Sequence, residues 1–116
     1  MLNTINRDAL IITPKQPLLD WVNYIYPEAP VTLESLGKHD HGNVYLIPET
    51  DHPDDALNYL RKNLELYFET ELFDWCTDEK LWPKPLTWEL FERWFDYSIQ
   101  SVVMDMAKGP IVKDEF

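Results

Sequence analysis

The residues of this chain best suited to metal chemistry are its three histidines, and two of them stand one residue apart. His39-Asp40-His41 is followed by Glu49, Asp51 and His52. Two histidines at i and i+2 point the same way on an extended strand, so such a pair can grip one ion. A catalytic zinc takes three protein ligands and keeps an open position, and His52 or Asp51 would complete the set. His39, His41 and His52 therefore predict, as one reading, a small metal-dependent hydrolase. The competing reading is a solvated loop, because HDHGN falls between a helix stop and a strand.

Other chemistry is poorly supported. Asp51–Asp55 lacks the glycine that an EF-hand loop needs at its sixth position, since Ala56 or Leu57 stands there. These acids suit the start of a helix instead. Cys76 is surrounded in sequence by Asp74, Asp78 and Glu79, whereas an activated thiolate needs a cation or a helix N-terminus. Carboxylates are too numerous for any pair to stand out as acid and base. With Gly37, Gly42 and Gly109 the only glycines, the chain has no phosphate-cradling loop, dinucleotide fingerprint or nucleophile elbow. No cofactor is implied.

Charge narrows the partners. Twenty-one acids against ten bases give a net charge of −11, which disfavours phosphate backbones and anionic lipid. Neither nucleic acid nor a membrane is expected as a partner. Rows of exposed carboxylates could imitate DNA and inhibit a basic protein, and this is a further alternative. Glu65 and Glu69 share a helix face, but Arg61 and Lys62 interrupt the row. The single cysteine allows no internal disulfide. MLNTINRDALIITP has neither a basic leader nor a long apolar run, and the terminal KDEF ends on Phe116. A cytoplasmic protein is the resulting expectation.

The elements that must position these groups follow from periodicity. Ala9–Ile12 is a β-branched apolar run and reads as a strand. Pro17 opens a helix with Leu18, Leu19, Val22 and Ile25 on one side. Thr32 caps a short helix, Leu33–Leu36, that Gly37 ends. Val44–Ile47 is a second strand. Asp51 is the predicted N-cap of a long helix running to about Cys76, with Leu57, Leu60, Leu64, Phe68, Leu72 and Trp75 on its inner face. Thr87 caps a last helix bearing Trp88, Phe91, Trp94 and Phe95. A third strand is predicted at about Ile99–Met106, in an edge position. The fold class is α+β: a single compact domain, order β-α-α-β-α-α-β, with a small three-stranded sheet packed against helices in two layers. Residues 7–106 form the expected ordered core and 107–116 a tail. A chain of this length should expose roughly 6,600 Å² when folded.

Aromatic residues are concentrated in one stretch. Tyr67–Tyr97 holds ten of the sixteen, among eight carboxylates and three bases. Each such ring buries roughly 150–250 Å² in a core or an interface. Most belong to the core by spacing, but Tyr59, Leu66 and Phe73 recur at seven residues on the side of the long helix away from Leu60 and Phe68. A helix with two apolar stripes packs against two things. Together with Trp82 in the loop, Tyr59, Leu66 and Phe73 mark a predicted protein–protein interface.

Several stretches jointly resemble a family of small acidic bacterial proteins with no assigned activity. They are Arg7-Asp8-Ala9-Leu10-Ile11, Pro14-Lys15-Gln16-Pro17, Leu19-Asp20-Trp21, Tyr45-Leu46-Ile47-Pro48-Glu49, Asp78-Glu79, Leu81-Trp82-Pro83 and Trp94-Phe95-Asp96. The resemblance implies a bacterial, cytoplasmic, free-standing domain and carries no catalytic residues with it. The leading expectation is a non-enzymatic protein–protein interaction domain, with a homodimer as one form of it.

Overall fold

The computed structural model describes residues 3–114. Strand β1 (Arg7–Pro14) is followed by helices α1 (Gln16–Ile25) and α2 (Leu33–Leu36), then strand β2 (Asn43–Pro48). Helices α3 (Pro53–Lys62) and α4 (Leu64–Trp75), a 3-10 turn at Glu79–Leu81, and helix α5 (Trp88–Trp94) lead to strand β3 (Phe95–Gln100). The sheet order is β2-β1-β3, and both pairings are antiparallel. The chain therefore has the α+β architecture its periodicity implies. β3 lies at an edge, and α3, α4 and α5 carry the chain from one edge of the sheet to the other.

Alternation on the strands builds the two layers. Leu10 faces Tyr45 and Ile99, and Ile12 faces Asn43 and Tyr97. This face meets Leu18 and Val22 of α1, Ala56 and Leu60 of α3, Phe68 and Leu72 of α4, and Phe91 of α5 in one buried cluster. Phe68 sits at its centre, with ring centroids 5.6 Å from Phe91, 5.7 Å from Phe95 and 6.4 Å from Trp94. Edge-to-face geometry of this kind adds about 0.5–1.5 kcal/mol per pair beyond burial. On the opposite sheet face Val44 and Leu46 stand exposed.

Capping chemistry sets several boundaries. Thr32 and Ser35 form a reciprocal capping box on α2, and Gly37 follows with φ 73 and ψ −159, a conformation open to glycine alone. Thr87 Oγ1 accepts from Leu90 N at 3.2 Å to start α5. Gly42 is needed for a different reason. A Cβ there would lie 2.6 Å from Thr13 Cγ2 and 2.7 Å from the Ile12 carbonyl oxygen, where β2 begins to pair with β1. Gly42→Ala should cost about 1–3 kcal/mol, the usual range for overpacking, read from the midpoint of urea unfolding.

Three boundaries differ from the sequence reading. The long helix from Asp51 to about Cys76 is two helices. Asn63 lies between them at φ −109 and ψ 21, and its side-chain amide donates to the Tyr59 carbonyl at 2.8 Å. Asparagine competes in this way for helical carbonyls, so its place is at helix ends. The N-cap of α3 is His52 rather than Asp51, and it makes no side-chain capping bond. The third strand begins at Phe95, not near Ile99. Trp88, Phe91, Trp94 and Phe95 fit helical spacing, but Phe95, Tyr97 and Ile99 also alternate, and pairing with Pro14, Ile12 and Leu10 decides for the strand.

The C-terminal part is open. Beyond Gln100 the described chain makes one isolated bridge, Thr4 with Met104, and Val102, Met106, Ile111 and Val112 are exposed. The accessible surface is 8631 Å², well above the area expected from chain length. Residues 107–114 of the expected tail carry no helix or strand, and residues 115–116, which include the end of KDEF, lie outside the described residues.

Candidate functional site

β2 separates the histidines. His41 precedes the strand and His52 follows it, and six extended residues between them span roughly 20 Å. His41 lines a cleft with Asp40, Gly42, Asn43, Glu71 and Asp74, while His52 borders a small cavity with Asp8, Thr50 and Ile99. His39 is exposed and lines neither. Among the described residues, no group of three or more His, Cys, Asp or Glu side chains is placed to hold a metal ion.

The His41 cleft, about 270 Å³, contains a buried polar network that the sequence does not announce. Glu71 is 3% exposed on the inner face of α4. Its Oε2 accepts from Asn43 Nδ2 at 2.7 Å and from the Tyr45 hydroxyl, and Asn43 Nδ2 also donates to Asp74 Oδ2 at 2.6 Å. Burial raises the Glu71 carboxyl above its ordinary value, Asp74 adds to this, and the two donated bonds only partly offset it. Burial, and then the bond to Glu71, push the Tyr45 phenol up as well. Asn43 and Tyr45 stand two apart on the inner face of β2, and Glu71 falls one turn from Tyr67 and Phe68. In the sequence, that spacing is the network's one signal. The network ties the β2 edge to α4 and leaves its one buried carboxylate with neutral donors.

The outer face of α4 is the other distinctive surface. Leu66 and Phe73 are 61% and 54% exposed, on a helix whose opposite side buries Tyr67, Phe68, Glu71 and Leu72. Thr70 lies between them, and its hydroxyl donates to the Leu66 carbonyl at 2.7 Å. Its own helix thus satisfies the hydroxyl. Trp82 is half-buried, and its indole N–H donates to the Cys76 carbonyl at 2.8 Å, which fixes the ring. Phe73 and Trp82 border one open groove of about 550 Å³ with Glu69, Thr70, Asp74 and Glu79.

The structure therefore brings Phe73 and Trp82 together, keeps Leu66 on the same helix face, and puts Tyr59 elsewhere. Tyr59 is half-buried on α3, with its ring 6.2 Å from that of Tyr67 and a 3.3 Å contact between the two hydroxyls. The interruption at Asn63 breaks the helical phase that joins Tyr59 to Leu66 in the sequence. Cys76 is buried as the residue that ends α4.

No helix among the described residues is long and apolar enough to cross a membrane. No family model, curated protein or solved structure matches the chain.

Proposed function

We propose that this protein is a non-enzymatic protein–protein interaction domain that docks its partner on the outer face of α4, at Leu66, Phe73 and Trp82. One observation carries the reading: α4 is apolar on both sides, and only one side is covered. Interfaces favour aromatic anchors inside a polar rim. Phe73 and the fixed Trp82 ring are such anchors, and Glu69, Asp74 and Glu79 are the rim. A bacterial cytoplasmic setting accords with the sequence resemblance and with the free, buried thiol of Cys76.

A random 16-residue peptide library displayed on phage tests the reading directly. Peptides enriched on the wild-type protein should bind a folded Leu66→Asp/Phe73→Asp variant at least about tenfold more weakly, since a central anchor is worth 1–2 kcal/mol or more. Equal affinity for both proteins would contradict the docking face. Sedimentation velocity at high micromolar concentration tests a second copy as the occupant, with a dimer dissociated by Leu66→Asp as the supporting result.

A further inference from the structure

The rim of the groove carries a one-sided charge. Glu69, Asp74 and Glu79 line it, and no lysine or arginine does. Lys80 follows Glu79 in the 3-10 turn without lining the groove. Burial raises the Glu69 carboxyl, and the neighbouring Glu65 and Glu79 carboxylates push it further in the same direction. Glu69 thus has like-charged neighbours on two sides, and among the described residues no lysine or arginine lines the groove. Beneath them the surface is apolar and already shaped, since the Thr70 hydroxyl and the Trp82 N–H are both satisfied within the chain.

We infer that the Phe73–Trp82 groove takes an amphipathic basic segment of a partner protein. Its apolar side chains lie on Phe73, Thr70 and Trp82, and a Lys or Arg sits among Glu69, Asp74 and Glu79. The inference deepens the docking reading above and rests on it. Charge selects this occupant over a second copy of the chain. Two molecules of net charge −11 would bring acidic rims against each other, whereas a cation beside the faces of Phe and Trp rings gains from their quadrupoles as well as from the carboxylates.

A fluorescently labelled 14-residue peptide of leucine and lysine at helical spacing is the probe, and a leucine–glutamine peptide of the same pattern is its neutral comparator. The wild-type protein should bind the lysine peptide more tightly than the neutral one. Glu69→Gln/Glu79→Gln should weaken the lysine peptide by about three- to tenfold, in the range of two exposed ion pairs. The same charge change made elsewhere, Glu34→Gln/Glu49→Gln, should weaken it by less than about twofold. Near-UV circular dichroism checks that each variant is folded.

Equal weakening by the two double variants would overturn the inference, because the attraction would then be diffuse. No binding of the lysine peptide would overturn it too. If the neutral peptide binds as tightly and Phe73→Ser weakens it, docking on α4 stands and the basic partner falls. If Phe73→Ser changes neither peptide, both fall.

Discussion

Replacing Phe68 with alanine should destabilise the protein by about 3–5 kcal/mol, the cost of deleting a buried ring and leaving its cavity. Phe68 is fully buried and packs on rings from both α5 and β3. α4, α5 and the β3 edge therefore lose a common contact in one substitution. Domains of this size are stable by only about 5–15 kcal/mol, so the loss is a large part of the whole. Urea unfolding followed by tryptophan fluorescence gives the value. Phe68→Leu, which keeps most of the volume, should cost about 1–2 kcal/mol. Equal costs for the two substitutions would mean that the site collapses around the smaller side chain.

The second large effect is at Glu71, where two substitutions should act in opposite directions. Glu71→Ala removes the acceptor of the Tyr45 hydroxyl and one of the two acceptors of Asn43 Nδ2 and should cost about 2–3 kcal/mol, from a buried donor without a partner together with lost packing. Glu71→Gln keeps a carbonyl oxygen where both donors converge, removes the charge and puts an amide NH2 in place of the other oxygen. Its pH dependence follows from the direction of the shift. A carboxyl raised in the folded state holds more protons folded than unfolded, so stability falls as pH rises from the ordinary carboxylate value of 4.5 through the raised one. Above that window the ionised form is less favourable in the fold than the protonated one. Glu71→Gln should therefore raise the unfolding midpoint above that window and flatten its fall as pH rises through it. A thermal series over that range, wild type against variant, measures both.

The elements were largely legible because their signals are local. Thr32, Gly37, Thr87 and the β-branched run at Ile11-Ile12 act through neighbours a few residues away. At two places a local period runs past the element that it describes. The seven-residue spacing of Tyr59, Leu66 and Phe73 continues through Asn63, although its side chain ends α3. Phe95 satisfies a helical pattern and a strand pattern at once, and only its pairing with Pro14 chooses between them. The Glu71 network needs the register of β2 against α4, a sequence separation of 28 between Asn43 and Glu71. The surface was half legible: exposure of Leu66 and Phe73 follows from the second stripe on α4. Trp82 lines the same groove as Phe73 because the chain after Cys76 turns back, with the Trp82 indole N–H bonded to the Cys76 carbonyl.

Docking on α4 is tested most directly by the amide footprint of the leucine–lysine peptide on the 15N-labelled protein. The expected result is a contiguous set of shift changes over residues 66–82, with the Trp82 indole N–H among the largest and the outer sheet face around Val44 and Leu46 unchanged. Changes spread over the acidic surface, or centred on Val44 and Leu46, would contradict it.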